Sequence, residues 1–318
     1  MQILRHFKDV PAAVQHCVVV LGNFDGVHRG HQAVIGQGAE IAGRLGAPLV
    51  VLTFEPHPRS FFRPHDPPFR LTPARSKARQ IAALGVDALV VLDFDVAFSQ
   101  IAAEDFVQQV LIDGLHARHI VVGHDFRFGR QRGGDAALLR VMGEPNGFGV
   151  TSISPVASAD GETYSSSHIR ENIVAGKPAH AAAMLGRPFE VEGTVQHGEK
   201  RGRTLGFPTA NIDIGGYVHP ALGVYAVRAA IDPNGAPEWI DGVAYFGDRP
   251  TVDGKGLLLE VNLFDFDGDL YGRNMRVALI EYLRPDHRFD SLEALQKQIA
   301  EDSATARRIL KVRAAGAP

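Results

Sequence analysis

The first half of the chain alternates short apolar runs with longer amphipathic segments. The runs are rich in Val, Ile and Leu at successive positions, which is typical of parallel strands buried on both faces. They predict five strands: Cys17–Leu21, Leu49–Phe54, Ala88–Phe94, Ile120–Gly123 and Val150–Val156. The segments between them predict four helices: His31–Leu45, Pro73–Leu84, Ala103–Leu115 and Asp135–Met142. Thr72, directly before a proline, is expected to cap the second of these helices. This βαβα order predicts a doubly wound parallel sheet.

The pattern changes near residue 185. Glycines and prolines at 176–178 and 186–188 bracket a short alanine-rich helix, which we take as the boundary region. Beyond it, six closely spaced strands are predicted without intervening helices: Phe189–Val195, Thr209–Ile212, Val224–Ile231, Trp239–Phe246, Leu257–Phe264 and Met275–Leu283. The amphipathic segment Ser291–Val312 predicts a final helix. The expected architecture is an α/β domain over residues 1–185 and a six-stranded antiparallel β-barrel with a C-terminal helix over residues 186–318.

Composition and charge narrow the function classes. The 318 residues are 45% apolar and 22% charged, with a formal net charge of −3, as in ordinary globular proteins. Residues 1–185 carry 17 basic and 17 acidic side chains and residues 186–318 carry 16 and 19, so neither half predicts a nucleic-acid partner. No apolar run is long enough to predict a membrane span, and Met1–Lys8 lacks an apolar leader. The single cysteine, Cys17, excludes an intramolecular disulfide. We therefore expect a cytoplasmic protein, and the sequence leaves open whether it forms a homo-oligomer.

Polar residues cluster where the predicted strands of the first domain end. The segment Gly22–His31 follows the first strand and carries two histidines and three glycines. Similar clusters follow at Phe54–Pro58, Val122–Gly129 and Ser165–Arg170. Because the carboxyl ends of parallel strands meet at one edge of a sheet, these residues are expected to converge. Glycines let a backbone approach phosphate, while histidine, serine and arginine side chains donate to its oxygens. The pattern indicates a nucleotide site.

Each cluster taken alone also has a plain structural interpretation. His28 and His31 are consistent with surface residues at a helix start, and as a zinc site they lack a third ligand nearby. The Glu55-Pro56 pair is consistent with a strand end, and the three serines with a helix cap. It is the combination of clusters, in this order and at these strand ends, that favours the nucleotide site.

The second domain contains a glycine-rich segment that is not a Walker A motif. Three residues separate Gly198 from Gly202 where that motif needs four, and Arg203 stands where it needs lysine. The glycines still permit a loop that approaches phosphate. Further along, Thr209 and Asn211 share one face of a predicted strand and offer hard oxygen ligands suited to Mg²⁺.

Glu260 interrupts an otherwise apolar strand in this domain. A charge at such a position is costly unless it is paired or used. Periodicity alone is equally consistent with a glutamate on the solvent side of the barrel and with a functional carboxylate. A further candidate loop, Gly247–Thr251, follows a predicted strand.

Taken together, these motifs resemble a known family. The spacing Gly26-x-His28-x-Gly30-His31, with the later Ser-Ser-Ser-x-Ile-Arg, is similar to the HxGH nucleotidyltransferase superfamily. The longer string Gly-Asn-Phe-Asp-Gly-Val-His-Arg-Gly-His, with Phe-Glu-Pro-His-Pro and the later Gly-Arg-x-Leu-Gly-Phe-Pro-Thr-Ala-Asn, resembles the bacterial bifunctional riboflavin kinase/FMN adenylyltransferase (FAD synthetase) family over nearly the whole chain. The resemblance implies riboflavin, ATP, FMN and FAD as substrates and products, and Mg²⁺ as cofactor.

By that resemblance, the first domain transfers AMP from ATP to FMN. It implies that His28, His31 and Arg170 act on the ATP phosphates during the transfer. The other implied ATP-binding residues are Gly22, Asn23, Phe24, Asp25, Gly30, Ser165, Ser166 and Ser167. The implied flavin- or ribose-binding residues are Phe54, Pro56, His57 and Asp125. His168 departs from the family pattern, in which this position is often basic.

The same resemblance implies that the second domain phosphorylates riboflavin. Glu260 would be the general base for the ribityl 5′-hydroxyl, and Thr209 and Asn211 would bind Mg-ATP. The other implied ATP- or flavin-binding residues are Gly198, Gly202, Arg203, Gly206, Phe207, Pro208, Arg249 and Arg284. Tyr245 departs from the pattern, because the family usually has Asn before a small apolar residue there. We expect it to change packing or flavin contact without abolishing activity.

Two other functions stay open for the second domain. In the first, the barrel is a non-catalytic module that binds flavin and regulates an adenylyltransferase. In the last, it is a non-catalytic module that binds nucleic acid or protein. The last would need a basic groove studded with aromatic side chains, and the acidic balance of this half disfavours it.

Overall fold

The computed structural model describes residues 1–196, 207–232, 237–251 and 254–315, with backbone alone at 248–251, 254–256 and 314–315. The chain divides into two compact units. Unit 1 comprises Met1–Pro67 and Thr72–Ser166, and unit 2 comprises Pro68–Leu71 and Ser167–Pro318. The expected fold class is confirmed, since a parallel sheet is followed by a closed antiparallel barrel and a C-terminal helix.

Unit 1 is built on a six-stranded parallel sheet. Its strands are β1 (Gln2–Leu4), β2 (Val18–Leu21), β3 (Leu49–Glu55), β4 (Ala88–Asp93), β5 (His119–Gly123) and β6 (Gly149–Ile153). They lie in the order β1-β4-β3-β2-β5-β6. The helices are α1 (Arg29–Leu45), α2 (Pro58–Phe62), α3 (Ala74–Ala82), α4 (Val96–Ser99), α5 (Ala103–Phe106), which continues into a π-helical segment at Val107–Gly114, and α6 (Ala136–Asn146). The sequence pattern does not predict β1, α2 and α4, which are only three to five residues long.

Both faces of this sheet are buried. Along β2, Val19 and Leu21 face a core that includes the π-helical segment, while Val18 and Val20 face a second core that includes α1. This explains why the strand is an uninterrupted apolar run. The strand order reverses between β2 and β5, so the loop that leaves β2 emerges at the topological switch point, where sheets of this kind bind ligands.

The cap predicted at Thr72 is wrong. The N-cap position of α3 is Pro73, which makes no side-chain capping hydrogen bond. The Thr72 hydroxyl instead accepts a hydrogen bond from the backbone N–H of Gly26, at 2.8 Å. The Thr72 hydroxyl is therefore used by the buried loop, and α3 begins one residue later than a Thr72 cap requires.

The single cysteine is part of the core of unit 1. Cys17 is fully buried at the start of β2, with its Sγ 3.7 Å from the carbonyl oxygen of Leu115. Burial disfavours the thiolate and raises the pKa of this thiol to about 12. The expectation of a small core residue is confirmed.

Unit 2 is a closed barrel with helices outside it. After α7 (Ser166–Val174), whose first residue belongs to unit 1, and α8 (Pro178–Leu185), the strands are β7 (Phe189–Gln196), β8 (Ala210–Ile212), β9 (Gly223–Ile231), β10 (Ile240–Thr251), β11 (Gly254–Leu263) and β12 (Asn274–Arg284). Neighbouring strands are antiparallel in the order β10-β11-β8-β7-β12-β9. The final helix, α9 (Leu292–Ala315), packs Ala306 and Leu310 against Val224 and Ala226 on the barrel wall. Among the described residues, no helix combines the length and apolarity needed to cross a membrane.

A buried ion pair joins two adjacent barrel strands. The guanidinium of Arg276 in β12 donates to Oε2 of Glu190 in β7, with nitrogen–oxygen distances of 2.7 and 3.2 Å. The two side chains are 8% and 11% exposed. The Arg276 guanidinium also lies over the ring of Trp239, 5.2 Å from its centroid. A charge this deeply buried depends on its partner.

We expect Arg276→Met to destabilise unit 2 by about 3–5 kcal/mol, because it leaves the Glu190 carboxylate buried without its arginine. Chemical denaturation followed by circular dichroism measures the loss. The matched control is Lys297→Met, which removes a pair whose side chains are 80% and 58% exposed. The control should change the free energy of unfolding by less than about 0.5 kcal/mol. Equal effects of the two substitutions would contradict the role of the buried pair.

Candidate functional site

The loop between β2 and α1 has a strained backbone. Phe24 and Val27 have positive φ angles of 50° and 43°, which non-glycine residues rarely adopt. Both side chains are fully buried. Strain of this kind persists only where the surroundings impose it, and it concentrates at functional sites.

The contacts that impose this shape come mainly from one threonine. The backbone N–H and the hydroxyl of Thr72 lie 3.0 and 3.4 Å from Oδ1 of Asp25 and donate to it. Thr72 Oγ1 also accepts from the N–H of Gly26. From the other side, the hydroxyl of Ser166 donates to the carbonyl oxygen of Asp25, at 2.8 Å. Asp25 is buried, so its carboxylate shapes the loop from within.

The two histidines lie together at the start of α1. His28 is the N-cap of this helix, and its Nδ1 accepts from the N–H of His31 at 3.3 Å. The two imidazole rings are stacked, with centroids 3.6 Å apart, and the ring of Phe24 meets His31 edge-on. A helix N-terminus favours anions, so both rings lie where phosphate oxygens are best stabilised.

Gly30 leaves room for these rings. A Cβ at this position would lie 3.1 Å from the His28 imidazole and 3.3 Å from the carbonyl oxygen of Tyr164. Gly22 has a similar role, because a Cβ there would meet the ring of Phe24 at 2.8 Å. The glycines of the motif therefore allow close packing around the histidines.

The predicted serine cluster is divided between the two units. Ser165 and Ser166 belong to unit 1, and Ser166 contacts the loop directly. Ser167 and Arg170 belong to unit 2. There the Arg170 Nε donates to the carbonyl oxygen of Phe69 at 2.7 Å, and its guanidinium lies over the Phe69 ring. Within unit 1, the structure thus brings together the histidines, the loop and Ser166.

An aromatic cavity of about 410 Å³ adjoins the loop. Three predicted residues line it: Asn23, Phe54 and His57. Six further phenylalanines line it as well: Phe62, Phe94, Phe98, Phe106, Phe126 and Phe128. Four arginines complete its lining: Arg59, Arg63, Arg127 and Arg132. Phenyl walls with nearby cations suit a flat aromatic ligand that carries an anionic group.

Two residues predicted for flavin or ribose binding lie elsewhere. The Asp125 carboxylate is 84% exposed, beside the imidazole of His124. Pro56 is also exposed. In the described unit 1, neither lines the aromatic cavity, whereas the neighbouring Phe126 and Pro58 do. The assignment of Asp125 and Pro56 to flavin or ribose binding stays a prediction.

A buried lysine that the sequence pattern does not predict lies beneath the loop. Lys77 in α3 is 1% exposed, and its Nζ lies 2.8 Å from Oε1 of Glu55 at the end of β3. Nζ also donates to the hydroxyl of Thr53 at 3.2 Å, and that hydroxyl donates to the carbonyl oxygen of Asn23 at 3.1 Å. The one available signal was spacing, since Lys77 is four residues before the buried Ile81 and shares its helix face.

In unit 2, the predicted residues lie on one registered row of the barrel wall. Asn211 in β8 is opposite Glu260 in β11, which is opposite Tyr245 in β10. Tyr245 is opposite Val224 in β9, which is opposite Arg284 in β12. Directly opposed residues of antiparallel strands share a face, so this row presents its side chains on the side that α9 covers.

A cavity of about 700 Å³ lies along this row, under α9. Phe207, Thr209, Tyr245, Glu260 and Arg284 are among the residues that line it. The helix and the turn before it contribute apolar side chains: Phe289, Leu292, Leu295 and Ile299. Glu260 is half-buried and lines this cavity, so its side chain does not lie on an open solvent face of the barrel. Its role as a functional carboxylate stays a prediction.

Arg284 is held in place by α9. Its Nε and Nη2 lie 2.8–3.1 Å from the carboxylate oxygens of Asp302, which is itself buried. Its Nη1 lies 2.9 Å from Nδ1 of His287. This bidentate ion pair fixes the guanidinium at the cavity wall and connects the end of β12 to α9.

Five of the residues predicted for this site are not fully described. Gly198, Gly202, Arg203 and Gly206 lie outside the described residues, and Arg249 is described by its backbone alone. Pro208 is exposed, and its carbonyl oxygen accepts from the side chain of Asn262, which lines the cavity. Within the described ranges, no group of three or more His, Cys, Asp or Glu side chains is arranged to hold a metal ion.

Two family models match the chain. The model described as FAD synthetase matches residues 10–168, and the model described as riboflavin kinase matches residues 185–310.

Similar proteins span nearly the whole chain. A protein of Pseudomonas fluorescens named "Bifunctional riboflavin kinase/FMN adenylyltransferase" is 43% identical over 308 residues, covering 96% of this chain and 97% of the relative. A protein of Escherichia coli (strain K12) with the same name is 41% identical over 309 residues, with the same coverage. A solved structure titled "Crystal Structure of Macrolide-efflux Protein from Streptococcus pneumoniae" is 32% identical, with a TM-score of 0.84, and covers 96% of this chain and 98% of its own.

Proposed function

This chain belongs to the bifunctional riboflavin kinase/FMN adenylyltransferase family, and we propose that each of its two units carries one of the two reactions. Unit 2 phosphorylates riboflavin with ATP, giving FMN and ADP. Unit 1 transfers AMP from a second ATP to FMN, giving FAD and pyrophosphate. The observation that carries this proposal is the Glu260 carboxylate on the wall of a cavity whose lining residues all belong to unit 2, while the two histidines belong to unit 1.

In unit 1, the aromatic cavity takes the flavin and the strained loop takes ATP. The phenylalanine walls suit the isoalloxazine ring, and the arginines of the cavity suit the FMN phosphate. Asn23 belongs to both the loop and the cavity, so it lies where the two substrates meet. The parts assigned to Ser167 and Arg170 rest on the family resemblance alone.

This reaction does not need a strong base. The FMN phosphate is already ionised at neutral pH, and its oxygen attacks the α-phosphorus of ATP as pyrophosphate departs. The protein has to align the two phosphates and stabilise the charge that develops on the leaving group. His28 and His31, at the N-terminus of α1, do this by donating to phosphate oxygens.

In unit 2, the nucleophile is a hydroxyl and a base is needed. Glu260 takes the proton of the ribityl 5′-hydroxyl, and the oxygen attacks the γ-phosphorus of ATP, with ADP as the leaving group. The apolar side chains of α9 form the wall against which the flavin ring packs. Tyr245 lies directly across the strand pair from Glu260, so it contacts the same substrate region.

The oxygen-bearing side chains near Glu260 fit a hard cation. Thr209 lines the cavity and Asn211 is the registered neighbour of Glu260, so a hydroxyl, an amide oxygen and a carboxylate lie close together. We assign Thr209 and Asn211 to hold Mg²⁺ that arrives with ATP. When bound there, this ion neutralises phosphate charge.

The direct test is incubation of the protein with riboflavin, Mg²⁺ and ATP, followed by chromatographic separation of FMN and FAD. A second incubation supplies FMN in place of riboflavin. We expect both flavins in the first and FAD in the second. Absence of FAD from both incubations would overturn the adenylyltransferase assignment. The cytoplasmic location, the lack of nucleic-acid and membrane partners and the oligomeric state stay predictions.

We expect Glu260→Gln to reduce FMN formation by about 10²–10⁴-fold, because the amide cannot accept the hydroxyl proton. FAD formation from supplied FMN should be retained. The measurement is the initial rate of each reaction on the same preparation. Glu281→Gln is the matched control, since Glu281 lies in β12 and pairs with Arg313 instead of lining the cavity.

Kinase turnover near the wild-type rate in Glu260→Gln would refute the base assignment. Wild-type protein that makes FAD from FMN but no FMN from riboflavin would favour the alternative, a non-catalytic barrel that binds flavin and regulates unit 1. The two outcomes separate a wrong residue from a wrong function.

We expect His31→Ala to lower FAD formation by about 10²–10³-fold, the usual loss for an oriented donor to developing charge. Riboflavin phosphorylation should be unchanged, because its site lies in the other unit. His6→Ala, which changes an exposed histidine of unit 1, is the control and should leave both rates unchanged. Equal loss of both activities in His31→Ala would contradict separate sites.

A further inference from the structure

Thr72, two residues before α3, and Lys77, within α3, hold the loop between β2 and α1 from two directions. Thr72 binds Asp25 and Gly26 through its backbone N–H and its hydroxyl. One helical turn into α3, Lys77 reaches the other end of the loop through Thr53, whose hydroxyl donates to the carbonyl oxygen of Asn23. Phe24, with its positive φ, lies between these two attachment points.

Burial makes these contacts strong. Thr53, Thr72 and Lys77 are all buried, and Lys77 is also paired with Glu55 at 2.8 Å. A buried ammonium fixed by a carboxylate cannot easily reorient, so its hydrogen bond to Thr53 has a fixed direction. Thr53 in turn presents its proton to the Asn23 carbonyl.

We propose that Thr53, Thr72 and Lys77, here called the loop-holding set, are positioning residues for adenylyl transfer. None of them is a reacting group. They hold Asn23–Gly26 in its strained shape, and the loop then sets the position of His28 at the start of α1. This inference rests on the proposed function of unit 1, and none of the three residues is among the ATP- or flavin-binding residues proposed for that reaction.

The rate of adenylyl transfer is sensitive to the alignment of the two substrates with the groups that bind their phosphates. Phe24 packs edge-on against His31, and the His28 ring stacks on His31, so a loop that relaxes moves both imidazoles. A misplacement of about 1 Å costs about 100-fold in rate. The aromatic cavity is formed largely by α2, α4 and the loops after β4 and β5, so FMN binding depends much less on this shape.

The test uses the full-length protein and near-isosteric substitutions. Thr72→Val and Thr53→Val each remove one hydroxyl and keep Lys77 paired with Glu55, while Thr72→Ser and Thr53→Ser keep the hydroxyl. Thr151→Val is the matched control. Thr151 lies in the edge strand β6 of the same sheet, and its hydroxyl also hydrogen-bonds a side chain, that of His119 in β5. Rates of FAD formation from FMN give kcat and KM, and riboflavin phosphorylation reports on the other unit.

We expect Thr72→Val and Thr53→Val to lower kcat for FAD formation by about 10- to 100-fold, with little change in KM for FMN. Both serine variants should recover most of the lost kcat, and Thr151→Val should keep the wild-type value. Riboflavin phosphorylation should be unchanged in all five variants. Thermal unfolding of each preparation identifies any variant that fails to fold. If one valine variant does not fold, the other still tests the proposal, because the two remove different hydrogen bonds to the same loop.

Three outcomes would overturn the proposal. The first is a kcat in both valine variants equal to that of Thr151→Val. The second is a serine variant as impaired as its valine counterpart, which would assign the effect to methyl packing instead of hydrogen bonding. The third is a loss expressed in KM alone. Wild-type protein that forms no FAD from FMN would instead refute the proposed function of unit 1.

Discussion

The first unit depends on a few hydrogen bonds that keep a short loop in a backbone shape its residues do not favour. Two buried non-glycine residues, Phe24 and Val27, adopt left-handed conformations between a strand and a helix. Their cost is offset because Thr72 and Ser166 bind the loop at Asp25 and Gly26. The parallel sheet from which the loop emerges is buried on both faces, so it provides a rigid frame for these contacts. These contacts favour the strained shape of the loop, which leads directly to both histidines at the start of α1.

The two units solve different chemical problems with different structural devices. In unit 1 the polar groups converge because parallel strands end at a common edge, and the nucleophile needs alignment more than activation. In unit 2 the polar groups converge because antiparallel register places Asn211, Glu260 and Tyr245 side by side on one face. A helix then covers that face, and the cavity that Glu260 lines lies beneath it. The hydroxyl substrate of unit 2 needs a base, and the phosphate substrate of unit 1 does not.

Periodicity was sufficient to predict the parallel sheet of unit 1 and the closed barrel of unit 2. Motif spacing pointed to residues that line two cavities, and their roles stay predictions. Periodicity could not decide the direction of Glu260, because the helix that covers its face is distant in sequence. Thr72 was misread as a helix cap, since its real partner lies 46 residues away in the chain. Lys77 was missed because a lysine in an amphipathic helix normally faces solvent. For Asp125, one residue of difference in a loop decides between facing a cavity and facing water.

The burial of Cys17 has a practical consequence for experiments on both reactions. With a pKa of about 12, its sulfur is almost entirely protonated near neutrality, and the surrounding core denies access to reagents. We therefore expect Cys17 of the folded protein not to react with maleimides and other thiol-alkylating dyes. A single new cysteine on the surface of either unit would carry a fluorophore at one defined place, without first removing the native one.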